Sequence, residues 1–326
     1  MVKRATFFFI FLFCKNIVLS QTCCSGGVPV SSNLGLPSAE SKTLQLNLSY
    51  DLNNLNTLKT EREIIDDQTR KRTTQSILLE VGYSLTDRLS VDAFFSYVRQ
   101  ERIINGNNLT FTEGIGDMVF LFKYQLMNEK KNKSNLFLGI GSKLPVGASD
   151  LKNNNGITLN ADLQPGSGAL DWIGWGQWSK TVDVRPSMQI VSTLIFSHKG
   201  VNNNYLGDSE YQFGREWSWS LGISDQLVLK KQLIQPALQL RYRDASADLF
   251  NTDALPSTGG NWLFIIPGGS IWFKKNLALE TNVELPLFAK VEGTQVTPTY
   301  RWNIGLFYKI PFSKKTINDI DSKFNL

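Results

Sequence analysis

Residues 42–53 read Lys-Thr-Leu-Gln-Leu-Asn-Leu-Ser-Tyr-Asp-Leu-Asn, and this stretch decides the fold. Apolar residues occupy every second position from Leu44 to Leu52, and polar residues fill the positions between them. Because successive side chains of a strand point to opposite faces, the stretch predicts a strand with one apolar and one polar face. About twelve segments of this kind follow one another between residues 42 and 310.

The connections between these segments alternate in length. Long polar stretches follow the first, third and fifth segments, whereas Thr86-Asp87-Arg88 and Lys274-Lys275-Asn276 are tight turns. Outer-membrane barrels have an even strand number, short periplasmic turns and longer extracellular loops. The segments run for about 10 to 13 residues, whereas a soluble strand usually has about 5 to 6. The pattern favours an all-β fold, a transmembrane antiparallel β-barrel of about 12 strands (10–14), over a soluble β protein.

The assignment of faces is uneven along the chain. In the tenth segment the alternating apolar set, which we expect to face lipid, is Trp262, Phe264, Ile266 and Trp272. The sixth segment, Gly168 to Lys180, has large apolar residues on both faces, with Trp172 and Trp178 on one and Trp175 on the other. Alternation therefore leaves the lipid face of the sixth segment open.

The first 20 residues have the features of a signal peptide. Lys3 and Arg4 precede an apolar run that ends at Phe13, and small residues stand before Gln21. The run is too short to cross a bilayer as a helix. We therefore predict a signal peptide (1–20), a periplasmic N-terminal segment (21–41), a barrel (42–312) and a periplasmic C-terminal tail (313–326), in the outer membrane of a Gram-negative bacterium.

Charge and cysteine content exclude several classes of function. Loss of Lys3, Arg4 and Lys15 with the signal leaves 31 basic against 29 acidic residues, a net charge of +2. Such a scattered, balanced charge predicts no nucleic-acid partner. Cys23 and Cys24 remain as an adjacent pair, which is a weak candidate for a soft metal ion. We otherwise expect no metal and no cofactor.

The polar face of the strands carries charges of both signs. Groups of this kind cost several kcal/mol in contact with lipid, so they predict the inner wall of a barrel. Two alternatives stay open: a hydrated pore, open or gated, or a lumen that ion pairs seal. The candidate lumen-lining residues are Glu80, Asp92, Lys123, Lys143, Glu216, Arg241, Arg243, Glu280, Glu284 and Arg301.

Barrel dimensions limit what can pass. Strands ~4.8 Å apart and tilted by ~40° close twelve strands at a backbone radius of roughly 12 Å, which suits small molecules. His198 is the only histidine, and the adjacent Ser197 points to the opposite face of a strand, so we predict no catalytic residues and no enzyme. The expected partners are outer-membrane lipid and a small-molecule solute, and the expected state is a monomer. The alternative is a structural or adhesion barrel with a sealed lumen and partner-binding extracellular loops.

Three glycine-containing segments carry a family resemblance. Gly114, Gly116 and Asp117 open a segment that ends in Lys123-Tyr124, and Gly139, Gly141 and Pro145 belong to Gly139-Ile-Gly-Ser-Lys143-Leu-Pro145-Val-Gly147. Leu163-Gln-Pro-Gly-Ser-Gly168 follows, with Asp171 close behind. In this order the segments resemble the outer-membrane proteins of the MetA-pathway of phenol degradation family, over about residues 75 to 310. The resemblance implies a barrel channel for small molecules, with small aromatic or hydrophobic compounds as its expected solutes.

Overall fold

The computed structural model describes residues 35–37, 40–65, 69–105, 108–129, 133–230 and 232–312. Twelve long antiparallel strands dominate this part of the chain. They are β1 (Thr43–Leu55), β2 (Arg70–Ser84), β3 (Leu89–Ile104), β4 (Met118–Glu129), β5 (Ser134–Leu144), β6 (Asp171–Val182), β7 (Arg185–His198), β8 (Glu216–Asp225), β9 (Gln232–Ala245), β10 (Gly260–Lys274), β11 (Leu277–Val291) and β12 (Tyr300–Pro311).

The twelve strands form a closed barrel. Each strand pairs with the next along the chain, and β1 closes the cylinder by pairing with β12 from Thr43↔Pro311 to Asn54↔Tyr300. Closure leaves no open edge, which satisfies the backbone hydrogen bonds that a membrane interior cannot supply. The predicted fold class is confirmed. In the described residues, no helix is long and apolar enough to cross a membrane.

Connections at the two ends of the barrel differ in structure as well as in length. At one end most of them are tight turns, such as residues 183–184 and 275–276, and the connection between β8 and β9 carries the short strand Leu227–Leu229. At the other end they are long and carry short elements of their own. These elements are the strands Thr57–Thr60, Glu63–Ile64, Asn108–Ile115, Val201–Tyr205, Ser209–Gln212, Leu249–Phe250, Asp253–Ala254 and Thr294–Thr297, and the 3-10 helix Ala161–Leu163. By the usual orientation of outer-membrane barrels, the long connections are extracellular.

The alternation read from β1 corresponds to the two faces of the barrel wall. Gln45, Ser49 and Asp51 are buried inside, whereas Leu48 and Tyr50 are exposed on the outer surface. Leucines and aromatic rings of the other strands extend this exposed apolar surface around the barrel. An outer apolar band with aromatic rings is what a lipid environment requires of such a barrel.

The prediction that Trp262, Phe264, Ile266 and Trp272 of β10 face lipid is wrong. The first three are buried, with Trp262 completely enclosed, and they face the lumen. Trp272 is half-buried and lines a cavity inside the barrel. The residues between the first three are also apolar, so the stretch from Trp262 to Ile266 has no polar face from which sequence could choose. Pairing with β9 decides, because Trp262 lies opposite the inward Arg243 and Phe264 opposite the inward Arg241. In β6, likewise, Trp175 is buried inside and Trp172 faces outward.

The prediction for the two ends of the chain can be compared with the structure only in part. The predicted signal peptide (1–20) and the predicted C-terminal tail (313–326) lie outside the described residues. The segment 21–41 was expected in the periplasm, but its residues 35–37 lie inside the barrel, where Leu36 is 4% exposed. Inward side chains of β3 and β4 hold Leu36 by hydrogen bonds, a non-local contact that the sequence does not reveal.

Candidate functional site

All ten candidate lumen residues lie on the inner face of the barrel. Nine are buried, and Glu280 is half-buried. Most of them form ion pairs with other inward side chains. The structure pairs Lys123 with Asp92, Lys143 with Asp117 and Asp171, Arg241 with Glu284, Arg243 with Glu216, and Arg301 with Asp51.

Two arginines of β9 form the charged layer of one wall. The guanidinium of Arg243 donates to both carboxylate oxygens of Glu216, at 2.9 and 3.0 Å, and Arg241 pairs with Glu284. Each guanidinium also stacks on an inward ring, Arg243 on Trp262 at 4.9 Å and Arg241 on Phe264. Planar guanidinium groups suit such combined pairing and stacking. The apolar set of β10 therefore serves as the platform for these arginines.

The three family-like segments converge on one buried network. The Asp117 carboxylate accepts hydrogen bonds from the backbone N–H of Ser167 at 2.8 Å and from its hydroxyl at 2.7 Å. The Lys143 ammonium donates to the same hydroxyl at 2.8 Å and pairs with Asp171 at 2.9 Å. Lys199 reaches Asp171 from the next loop at 3.4 Å. The network therefore fastens the connection between β5 and β6 to the barrel wall.

Close backbone packing accompanies this network. A Cβ added to Gly147 would lie 2.8 Å from the Gly166 Cα, and one added to Gly166 would lie 2.5 Å from the Gly147 carbonyl carbon. Only glycine permits two backbones to approach so closely. The remaining motif residues lie on or next to β4 and β5. Gly114 packs beside Pro165, Gly116 precedes β4, Gly139 and Gly141 are on β5, and Pro145 directly follows β5.

The connection between β5 and β6 folds into the extracellular half of the lumen. Its Asp162 forms an ion pair of 2.8 Å with Arg72 of β2, and both side chains are 1% exposed. The carbonyl of Leu163 accepts from Thr112, and the carbonyl of Gln164 accepts from Gln100. Sequence analysis missed Arg72, Asp162 and Lys199. Alternation could have found Arg72, which shares the inward parity of Glu80, but no signal marks the two loop residues.

Residues 35–37 of the N-terminal segment lie inside the lumen. The backbone N–H of Leu36 donates to Asp92 at 3.2 Å, and its carbonyl accepts from Lys123 at 2.7 Å. The Leu36 side chain packs with Ala278 and Phe307 of the opposite wall. Asp92 and Lys123 lie 2.6 Å apart, and together they hold the backbone of Leu36 inside the bore.

Two of the cavities that the described residues line lie inside the barrel. The larger, of about 550 Å³, lies towards the periplasmic end, and Gly35 and Pro37 form part of its wall. The smaller, of about 220 Å³, borders Glu80, Arg241 and the same N-terminal residues. Volumes of a few hundred Å³ accommodate small organic molecules. The part of the lumen that the described residues line therefore has space for a small molecule.

An aromatic cluster stands among the extracellular loops. Tyr205, Tyr211 and Phe213 are buried together, and Tyr211 donates a hydrogen bond of 2.7 Å to the Asp248 carboxylate. Burial raises the pKa of Asp248 to about 6, although hydrogen bonds from Tyr211 and the Gly214 N–H oppose the shift. Burial, and then the Asp248 charge, raise the pKa of Tyr211 above its usual range. Asp248 therefore changes charge within a common pH range.

His198 does not form a catalytic constellation with its neighbour. It is exposed at the end of β7, whereas Ser197 is buried on the inner face. A serine nucleophile and its base must lie within hydrogen-bonding reach of each other, and these two side chains point to opposite sides of the barrel wall.

A closed twelve-strand barrel with an outer apolar surface and a charged interior defines an outer-membrane β-barrel protein of a Gram-negative bacterium. It is similar in fold to an outer membrane channel from Pseudomonas putida F1, with a TM-score of 0.67 and 14% identity over 85% of this chain and 97% of that one. Other similar structures are the β domain of the Bordetella autotransporter BrkA (TM-score 0.47, 10% identity, 83% and 100% covered) and the NanC porin (0.44, 8%, 81% and 100%).

Sequence comparisons add no family assignment. No protein-family model and no curated protein matches the chain. At 14% identity, the likeness to the Pseudomonas channel shows a shared fold. The resemblance to the MetA-pathway of phenol degradation family therefore stays a prediction from the glycine-containing segments.

Proposed function

We propose that this protein is a channel that passes small molecules across the outer membrane. The observation that carries the proposal is the pair of cavities, of about 550 and 220 Å³, inside a closed membrane barrel. Leu36 and the Asp92–Lys123 pair narrow the bore beside these cavities. Passage then requires displacement of the N-terminal segment or of the β5–β6 connection.

The solutes we propose are small, and the family resemblance favours aromatic or hydrophobic compounds among them. The inward rings of Phe137, Trp272 and Phe307 support this choice, because they line the larger cavity and give it apolar surface. Eight ion-paired charges, together with Glu80 and Glu280, stand on the inner face of the barrel and would orient polar parts of a solute. We also propose that the channel is a monomer, acts without a cofactor and catalyses no reaction.

Liposome swelling with sugars, amino acids and small aromatic compounds tests the channel, together with conductance in planar bilayers. We expect solute-dependent swelling and discrete conductance steps from purified, folded protein. Empty liposomes and heat-unfolded protein serve as controls. Folded protein that gives neither channels nor uptake of any solute would contradict the proposal.

A sealed barrel whose loops bind partners is the second candidate. It is favoured by the buried Arg72–Asp162 pair and the Lys143 network, which pack the extracellular half of the lumen. Deletion of the exposed loop residues 152–157 separates the two functions. A loss of surface binding with unchanged permeability would favour the sealed barrel, whereas altered permeability would favour the channel.

A further inference from the structure

The larger cavity differs in chemistry from the rest of the lumen. Its wall carries six half-buried carboxamide side chains, contributed by five strands. They are Asn135 on β5, Gln177 on β6, Gln189 on β7, Gln235 and Gln239 on β9, and Asn282 on β11. Among the residues that line this cavity, Glu280 and Lys309 are the two that are ionisable. Charged pairs instead concentrate in the extracellular half.

Carboxamides give this wall both hydrogen-bond donors and acceptors. Gln177 donates to the hydroxyl of Thr193 at 3.2 Å, and Gln235 donates to the hydroxyl of Ser224 at 3.3 Å. Each carboxamide carries two N–H donors and an oxygen with two lone pairs. A hydroxyl of a solute would accept hydrogen bonds from these amides in the same way as the hydroxyls of Thr193 and Ser224 do.

Aromatic rings complete the cavity wall. Trp272 and Phe307 meet edge to face, with ring centroids 5.9 Å apart, and both line the cavity. Phe137 lines it from β5, directly opposite Gln177 in the strand register. Rings of this kind offer apolar surface to the C–H groups of a solute, while amides bind its polar groups.

An electrostatic argument selects the charge of the solute. An ion that enters this cavity exchanges its hydration mainly for neutral dipoles, which is unfavourable. Glu280 and Lys309 carry opposite charges, so this wall offers no net counter-charge to an ion of either sign. An uncharged solute exchanges hydrogen bonds to water for hydrogen bonds to amides, at small net cost. We propose that the larger cavity is a selectivity site for uncharged, hydroxyl-bearing solutes of about the size of a monosaccharide. This inference rests on the proposed channel function, and it adds hydroxyl-bearing solutes to the aromatic and hydrophobic compounds proposed above.

Three solutes of similar size and different charge test the inference: glucose, gluconate and glucosaminium. In liposome-swelling assays we expect glucose to enter several-fold faster than either ion. The double variant Gln177→Leu, Gln239→Leu keeps side-chain size but removes two carboxamides, and we expect it to lose this margin. Gln75→Leu is the matched control, because Gln75 faces outward on β2.

Equal entry of the three solutes, or a margin that survives in the double variant, would overturn the inference while leaving the channel intact. If no solute enters, the proposed channel fails. Saturation-transfer NMR on the detergent-solubilised protein then decides the inference separately. A glucose signal that the double variant loses would support a binding site without transport, and the absence of any glucose signal would overturn the site as well.

Discussion

Lys143 joins three parts of the structure through one ammonium group. It contacts Asp117 before β4, Ser167 in the β5–β6 connection and Asp171 on β6, and it is 1% exposed. The negative charges of two buried carboxylates, Asp117 and Asp171, are therefore balanced in part by this single lysine. Removal of one partner from a buried ion pair is costly because the remaining charge stays out of water.

We expect Lys143→Met to lower the free energy of unfolding by about 3–5 kcal/mol, because it leaves buried carboxylates less compensated. Urea titration of the protein in lipid vesicles measures the change. Lys152→Met is the control, since Lys152 is exposed in the same connection and its loss costs little. Equal stabilities of the two variants would contradict a central role for Lys143.

Because the pKa of Asp248 is raised, we predict that the stability of the extracellular loops depends on pH. Its pKa of about 6 lies above the ordinary 3.8, so between about pH 4 and 6 the folded protein holds a proton that the unfolded chain has released. The stability contribution of Asp248 is therefore lost as the pH rises through this window, by about 3 kcal/mol in total.

The Asp248→Asn variant should flatten that pH dependence, as measured by urea titration between pH 4 and pH 7. Asp253→Asn, an exposed change in the same loop, should keep the wild-type profile. A pH profile of Asp248→Asn that matches the wild type would show that another group titrates.

At the scale of the strand, the approach of β4 to β5 depends on glycine. A Cβ added to Gly141 would overlap the carbonyl oxygen of Phe120, whereas one added to Gly176 would lie 3.6 Å from Leu138 in ordinary contact. Both glycines are in barrel strands, so they form a matched pair in which only the available space differs.

We expect Gly141→Ala to destabilise the barrel by about 1–3 kcal/mol, because the strands must move apart. Gly176→Ala should be neutral or slightly stabilising, because alanine reduces the freedom of the unfolded chain. Refolding yield and urea midpoints in vesicles measure both. A Gly141→Ala protein as stable as Gly176→Ala would show that the strand spacing tolerates a methyl group.

At the scale of the whole molecule, residues 35–37 of the N-terminal segment obstruct part of the bore. Leu36 is anchored by its backbone to Asp92 and Lys123 and by its side chain to Phe307. A carboxylate at position 36 would meet the apolar surface of Phe307 and the charge of Asp92. Either contact is unfavourable, so the segment should leave the lumen.

We therefore expect Leu36→Asp to raise single-channel conductance in planar bilayers well above that of the wild type. Val184→Asp adds the same charge at an exposed residue of the tight turn between β6 and β7, and it should change conductance far less. Identical conductance of wild type and Leu36→Asp would show that the segment does not restrict the passage of ions.

The sequence by itself determined the barrel, its strand number and the inner position of its charges. Residues 42–53 illustrate the reason, because alternation is a local property that two-residue periodicity records directly. Loop parity extended the same reasoning to the number of strands and the orientation of the barrel.

Only the tertiary structure decided the orientation of β10, the insertion of Leu36 and the partners of Lys143. From Trp262 to Ile266 both faces of β10 are apolar. The register with β9 places Trp262 and Phe264 opposite the inward Arg243 and Arg241, and this register sets which face points inward. The other two depend on contacts between residues far apart in sequence. Which carboxylate meets which ammonium follows from strand register and loop folding, and no local periodicity encodes either.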